Sequence, residues 1–260
     1  MAKQRSHRPW QHGFTLIEMA IVLIIMGLLV GGVFVGTQMV HQSHIRATIS
    51  QIDKFTQAVR IFSDKYGQLP GDFTNAENFW GTDPGGCPNT PLNQVKKVAT
   101  CNGQGTGQVN VAYEWFRLWQ HLSDAGLIEG QYTGVSASAT GQLLDYSVPS
   151  SAYPGGGFMM IYSPETTLTA NNYADKAHHV FDLGAPNCSG GCSTSYPLLL
   201  TVDAIDIDTK LDDGFPSTGN VLARPNGSAL TPNCATAAAT PAYNTAYTKA
   251  ACDLLIDTGY

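Results

Sequence analysis

The feature that most constrains this chain is an apolar run from Met19 to Gly36, close to its N-terminus. No Asp, Glu, Lys or Arg occurs between Met19 and His44, and ~20 helical residues of this kind cross a bilayer. Eleven Leu, Ile, Val or Phe residues lie between Ile21 and Val35. On an insertion scale they favour the membrane by about 3 to 7 kcal/mol in total. The run therefore predicts one membrane-spanning helix.

One carboxylate, Glu18, lies at the start of this run. An acidic residue costs about 3 kcal/mol at the bilayer centre and less near an end, so the segment still inserts. An ionisable residue in such a segment usually has a function and a partner. If the chain is cut between Gly13 and Phe14, the new α-amino group lies four residues before Glu18. The two groups can then pair within one chain or between neighbouring chains.

The string from Gly13 to Glu18, GFTLIE, follows a basic leader and precedes the apolar helix. It resembles the cleavage and methylation signature of type IV pilins and type II secretion pseudopilins. The resemblance implies that a prepilin peptidase cuts after Gly13 and N-methylates Phe14, and that Glu18 is the assembly glutamate. An ordinary membrane anchor with an incidental Glu is the alternative. A secretory signal peptide fits less well, because it needs a shorter apolar core followed by a small-residue cleavage site.

Charge predicts the orientation of the chain and argues against one class of partner. Lys3, Arg5 and Arg8 predict a cytoplasmic N-terminus by the positive-inside rule. The net charge is −6, or −9 without these three leader cations, and an acidic head is a poor ligand for nucleic acid. Together with this orientation, the resemblance to pilins implies a single-pass protein of the bacterial inner membrane with a periplasmic head, later found in a periplasmic or cell-surface filament. No specific nucleic-acid binding is expected.

Three segments are expected along the chain: a leader at 1–13, a long N-terminal helix at 14–66 and a periplasmic or extracellular head at 67–260. The helix should have a membrane part at about 14–40 and an amphipathic part at about 41–66, because apolar residues recur every three, four or seven positions in the second part. Gly27, Gly31, Gly32 and Gly36 form two G-x-x-x-G spacings, which allow close helix contacts in lipid, although glycine is also generally common in membrane helices.

The head has the pattern of an α+β fold with an antiparallel sheet packed on the long helix, as in pilins. Residues 111–130 have the apolar spacing of a helix. Short β-type runs separated by turn residues predict strands; they occupy 143–148, 158–163, 179–183 and 196–203.

Six cysteines, all beyond residue 86, fit the oxidising side of the membrane. Six cysteines allow fifteen connectivities. Closeness in the sequence favours three disulfides, which are Cys87 with Cys101, Cys188 with Cys192 and Cys234 with Cys252. Zinc binding is the alternative, but the chain has no C-x-x-C.

A group of aspartates between Ala204 and Gly219 is a weak calcium candidate, because carboxylate oxygens bind this ion. The spacing departs from an EF-hand, since Lys210 replaces the third acidic ligand and no Glu closes the loop. A solvated turn is the alternative, and no other cofactor is expected. The candidate ligands are Asp206, Asp208, Asp212 and Asp213.

No catalytic residue is predicted, because a histidine at the places of His121, His178 and His179 is more often a surface or half-buried polar residue. We expect a structural subunit that polymerises into a type IV pilus or a secretion pseudopilus. Its expected partners are prepilin peptidase, copies of itself and other pilin-like subunits, an inner-membrane assembly platform, and the lipid bilayer before assembly. A minor pilin or adhesin-like subunit at a filament tip is the alternative, and a membrane-anchored periplasmic enzyme is a less favoured one.

Overall fold

The computed structural model describes residues 14–83, 87, 99–136, 143–163, 178–188, 192–225, 233–236 and 240–260. The predicted leader at 1–13 lies outside these residues, as does much of the stretch between Asp83 and Ala99. The chain divides into two compact units, Met1–Ser43 and His44–Tyr260.

Helix α1 runs without interruption from Leu16 to Tyr66. Its length follows from the absence of proline between Phe14 and Leu69, since proline removes a helical hydrogen bond and clashes with the preceding turn. The helix ends where Gly67 adopts a positive φ of 73° and donates its N–H to the Ser63 carbonyl at 2.8 Å. Glycine is the usual residue at this position because it has no Cβ to clash.

The second unit contains a six-stranded sheet in which every strand pair is antiparallel. The central path runs β1-β2-β6-β4, while β3 pairs with β2 and β5 pairs with β6. Together with the long helix, this sheet confirms the predicted α+β class. The strands are β1 (Gly157–Ser163), β2 (His178–Asn187), β3 (Ser193–Tyr196), β4 (Leu199–Leu200), β5 (Val221–Pro225) and β6 (Ala250–Asp257).

Three shorter helices complete the described part of this unit: α2 (Ala76–Trp80), α3 (Ala112–Asp124) and α4 (Thr201–Leu211). The core forms where α3 and the outer half of α1 meet the sheet. The centroid of the Phe55 ring lies 5.0 Å from that of Trp119 and 5.3 Å from that of Phe158. The ring centroids of Trp119 and Phe181 lie 6.0 Å apart. These edge-to-face and offset contacts add to the burial of large apolar surfaces.

Two predicted strands differ in the structure. Residues 143–148 form a turn with an isolated Leu144–Val148 bridge, because Asp145 takes a left-handed φ of 56° that ends any extended run. In the run 196–203, only Leu199–Leu200 belongs to β4, and α4 starts at Thr201. The reason is that Ala204, Ile207 and Leu211 recur at helical spacing and are mostly buried.

All six cysteines are bonded, in the three pairs that closeness in the sequence favours: Cys87–Cys101, Cys188–Cys192 and Cys234–Cys252. No free cysteine remains to bind zinc. The first bridge closes a loop of about fifteen residues, which is worth ~3 kcal/mol in the chain-entropy model.

A buried ion pair joins α3 to the segment before the first disulfide. The Arg117 Nη2 donates to Asp83 Oδ2 at 3.0 Å, with both side chains almost fully buried. The Arg117 Nη1 also donates to Gln120 Oε1 at 2.8 Å, and Thr100 donates its hydroxyl to the same oxygen at 2.7 Å. These contacts satisfy charges that would otherwise be costly to bury.

Two buried carboxylates hold the loop at 104–110. Asp72 accepts hydrogen bonds from the backbone N–H groups of Gly105 (2.6 Å), Thr106 (3.1 Å) and Gly107 (2.6 Å). Glu114 accepts from the N–H groups of Gln104 (3.2 Å) and Asn110 (3.3 Å). Five backbone donors therefore bind these two carboxylates and fix the loop. The two negative charges repel each other when both groups are ionised.

Replacing Glu114 with Gln should remove a pH-dependent part of the stability. Burial first, and then the nearby Asp72 charge, raise the pKa of Glu114 to about 7 from a usual 4.5. The stability from this group is fully present below pH 4.5 and is lost as the pH rises through 7. Relative to Glu114→Gln, the wild type should gain up to about 3 kcal/mol of unfolding free energy between pH 8 and pH 4.5.

Urea unfolding of the full chain in detergent at several pH values measures this difference, and taking the difference cancels the other titrating groups. Glu129→Gln, at an exposed position, is the matched control and should change the stability by about 0.5 kcal/mol or less. A wild-type to Glu114→Gln difference that stays constant from pH 4.5 to pH 8 would contradict the prediction.

Candidate functional site

The predicted processing segment lies at the start of helix α1. Phe14 and Thr15 precede the helix, which begins at Leu16, and the Phe14 side chain is 79% exposed. Gly13 lies outside the described residues, so the structure describes only the Phe14 side of the predicted cut. The residue that would carry the new α-amino group is thus non-helical and accessible.

Glu18 forms a capping box with Thr15. The Glu18 Oε2 accepts hydrogen bonds from the Thr15 backbone N–H at 2.7 Å and from the Thr15 hydroxyl at 2.8 Å. In return, the Thr15 Oγ1 accepts from the Glu18 N–H at 3.3 Å. This reciprocal arrangement satisfies two donors that the first helical turn leaves without intrahelical partners.

The capping box was missed in the sequence interpretation, although its signal is present. Thr15 and Glu18 have the S/T-x-x-E spacing that marks a helix N-terminus ahead of an apolar run. Glu18 therefore has a role inside its own chain, in addition to the predicted pairing with the Phe14 amine. Both bonds from Thr15 end on Oε2, so Oε1 can accept a further hydrogen bond from an ammonium group.

Helix α1 is the described helix that is long and apolar enough to cross a membrane, and its most apolar stretch is not buried. In the described structure, a Cβ added at Gly27, Gly31, Gly32 or Gly36 would meet no atom within 4 Å. Among the described residues, no contact thus accounts for these glycines.

The family model described as the prokaryotic N-terminal methylation motif matches residues 11–34. This motif is the signature of type IV pilins and pseudopilins, which confirms the resemblance. It supports a type IV pilin-like precursor that prepilin peptidase processes, and it suggests a structural subunit rather than an enzyme. With the apolar helix, it also fits anchoring in the inner membrane. No curated protein and no solved structure matches the chain.

His121 is fully buried and holds the loop that carries Cys101. Its Nδ1 accepts a hydrogen bond from the Gly71 N–H at 2.9 Å, while Nε2 lies 3.1 Å from the Thr100 hydroxyl and 3.2 Å from the Cys101 carbonyl. Burial and the nearby Arg117 charge lower the pKa of His121 to about 3. The ring is therefore neutral at physiological pH, and both of its nitrogens serve the fold.

His179 lines a cleft together with Asp72 and Tyr260. The Val109 N–H donates to its Nε2 at 3.1 Å, so Nδ1 carries the proton and lies 3.2 Å from the Tyr260 carbonyl oxygen. Burial lowers the pKa of His179. The Nδ1 of the neighbouring His178 lies 3.8 Å from the Oδ2 of Asp257. The polar atoms of His179 and Asp72 are thus used by backbone contacts rather than presented to a substrate.

The structure brings three of the four calcium candidates together. Asp208, Asp212 and Asp213 each place a carboxylate oxygen within 4.8 Å of the others. Asp206 instead forms an exposed ion pair with Lys210 at 2.7 Å. Asp206 and Asp208 lie within α4, where the sequence interpretation expected a loop.

Most oxygens of this aspartate cluster accept hydrogen bonds, mainly from the loop that follows α4 and also from Val221 and Tyr243. Calcium takes six to eight oxygen ligands, so an ion would have to share these carboxylates with the loop. Burial also raises the pKa of Asp208 to about 6, which weakens it as a ligand in mild acid. Calcium binding stays a prediction, and no role for the ion is derived. The donors are Gly214 and Tyr243 to Asp208, Asn220 and Val221 to Asp212, and Phe215 and Thr218 to Asp213.

Proposed function

We propose that this chain is a structural subunit of a type IV pilus or a secretion pseudopilus. The methylation motif on an exposed apolar helix, with Glu18 as its acidic residue, is the observation that carries the proposal. The organisation expected is a leader at 1–13, a helix at 14–66 and a periplasmic head at 67–260. In this proposal the precursor sits in the inner membrane with a cytoplasmic N-terminus until an assembly platform moves it into the filament.

Pairing between the cleaved N-terminus and Glu18 directs the assembly step. Cleavage creates an ammonium group on Phe14, and Glu18 Oε1 can accept its hydrogen bond while Oε2 still caps the helix. In the apolar core of a filament, either charge alone would cost several kcal/mol, and a partner offsets that cost. The ammonium of one subunit and the carboxylate of a neighbour therefore favour one register of the stacked helices.

The glycines of α1 support this packing. Gly27 with Gly31 and Gly32 with Gly36 present two bare stretches of backbone, and no other part of the described chain occupies them. In lipid or in a filament core, small residues at this spacing let helices approach closely. Copies of this chain and other pilin-like subunits are the proposed occupants.

Replacing Gly13 with Val should leave the leader attached. A Cβ-branched side chain crowds the peptide bond to be cut, so we expect the cleaved fraction to fall at least tenfold while membrane insertion is unchanged. Mass spectrometry of the membrane-bound chain measures this. The wild type should yield an N-terminus at N-methylated Phe14, and Gly13→Val should retain the leader.

A wild-type chain that keeps its leader in cells containing prepilin peptidase would overturn the proposed function. Equal trimming of wild type and Gly13→Val would instead move the cut away from Gly13. Proteomics and imaging of sheared filaments then test polymerisation, and the location of the chain along the shaft or at the end distinguishes a major subunit from a minor one.

A further inference from the structure

The point at which helix α1 begins determines which residues remain outside it. The hydrogen bonds between Thr15 and Glu18 satisfy the first donors of the helix and fix its start at Leu16. Without a cap, an apolar helix near a membrane gains by adding residues at its N-terminus, because each added residue satisfies a backbone donor that lipid cannot. A capping residue removes this gain.

A peptide bond inside a helix is a poor substrate for proteolysis, because its carbonyl and N–H are engaged and its side chains are wound around the axis. Proteases cut segments whose backbone is free of regular structure. Phe14 is such a residue in this chain, whereas Thr15, as the N-cap, already accepts a hydrogen bond from the Met19 N–H at 3.2 Å. The bond to be cut lies directly before Phe14 and thus two residues ahead of the first helical residue.

We propose that Thr15 is a positioning residue for leader removal: by capping the helix together with Glu18, it keeps Phe14 out of α1, so that prepilin peptidase can reach the bond that precedes Phe14. In the reaction, a water oxygen bonds to the Gly13 carbonyl carbon, the bond to the Phe14 nitrogen breaks, and that nitrogen gains a proton. This inference rests on the proposed processing. It assigns the hydroxyl of Thr15 a role before the cut, distinct from the later pairing of Glu18.

The test follows cleavage of the full-length precursor by pulse-chase in cells that express prepilin peptidase. Losing an N-cap destabilises the start of the helix, so Thr15→Ala should slow the first-order cleavage constant about three- to tenfold. Thr15→Val, which keeps the side-chain shape without the hydroxyl, should be equally slow. Thr15→Ser restores the cap and should return the rate to within twofold of the wild type.

A second-site change separates positioning from direct contact with the peptidase. Proline is tolerated at the first helical position and disfavours helical backbone in the residue before it. Leu16→Pro should therefore rescue cleavage of Thr15→Ala to within twofold of the wild type without restoring any hydroxyl. Alkali-resistant membrane association, measured in parallel, should be the same for all variants.

Cleavage of Thr15→Ala at the wild-type rate would overturn the inference. So would a Thr15→Ala, Leu16→Pro double variant that stays slow while Leu16→Pro alone is cleaved normally, because the hydroxyl would then act on the enzyme directly. Both outcomes leave the proposed subunit function intact, since the wild type is still processed. A wild type that is not processed fails at the proposed function itself.

Discussion

Replacing Glu18 with Gln should lower the yield of filaments at least tenfold while leaving membrane insertion and leader removal near wild type. Glutamine preserves the capping box, because either Glu or Gln can accept from the Thr15 N–H. It cannot neutralise the Phe14 ammonium of a neighbouring subunit. An uncompensated charge in an apolar core costs several kcal/mol, and each 1.4 kcal/mol corresponds to a factor of ten in an equilibrium.

The measurement is the fraction of cleaved subunit recovered in sheared filaments, relative to the cleaved pool left in the membrane. Glu18→Asp is the matched control: it keeps the charge on a shorter side chain and should assemble better than Glu18→Gln. A normal filament yield from Glu18→Gln would mean that the carboxylate serves only as a cap, and the charge-pairing mechanism would be wrong.

Replacing Asp83 with Asn should destabilise the head by about 3 to 5 kcal/mol. The change replaces the buried carboxylate that Arg117 binds with a neutral amide, and removing one partner of a buried pair costs far more than the pair contributes. Arg117 also orients Gln120, which holds Thr100 beside the first disulfide. We therefore expect the loss to reach the segment around Cys101. Urea unfolding of the full chain in detergent provides the free energy.

Asp206→Asn is the control for this prediction. It removes the exposed partner of Lys210 on α4, and exposed pairs spaced four residues apart contribute about 0.3 to 0.5 kcal/mol. The contrast between the two variants isolates burial, because each removes one carboxylate from one ion pair. Equal losses of stability for Asp83→Asn and Asp206→Asn would contradict the assignment.

Helix α1 was predictable from local signals. Unbroken hydrophobicity, the absence of proline and the glycine at position 67 define it without any knowledge of the rest of the chain. The same holds for α3, where Phe116, Trp119 and Leu122 recur on one face and are buried. In both cases the deciding signal is contained in the segment itself, as unbroken hydrophobicity in α1 and as the period of the apolar residues in α3.

Strand β6 was missed because its place in the fold depends on distant partners. The run from Ala250 to Asp257 contains Asp253, which interrupts the apolar pattern, yet the strand pairs with β2, β4 and β5. Its central position comes from these pairings, and no local pattern encodes them. The start of α4 was misjudged for a related reason, since aspartates favour turns unless the apolar residues between them are buried.

At the candidate site, the capping box could be read from the spacing of Thr15 and Glu18, whereas the hydrogen bonding of His121 and His179 could not. Each of these rings binds backbone groups fifty or more residues away in the chain. Only the folded arrangement shows that their nitrogens are already engaged.

The three disulfides also limit how far the head can lengthen under tension. A crosslink shortens the path along which force travels, so the residues it encloses cannot be drawn out while the sulfur–sulfur bond holds. The Cys234–Cys252 bridge spans a sequence separation of 18. At roughly 3.5 Å for each extended residue, the bridge prevents about 60 Å of the chain's contour length from being extended. A fibre built from such heads would resist stretching even where its non-covalent packing gave way.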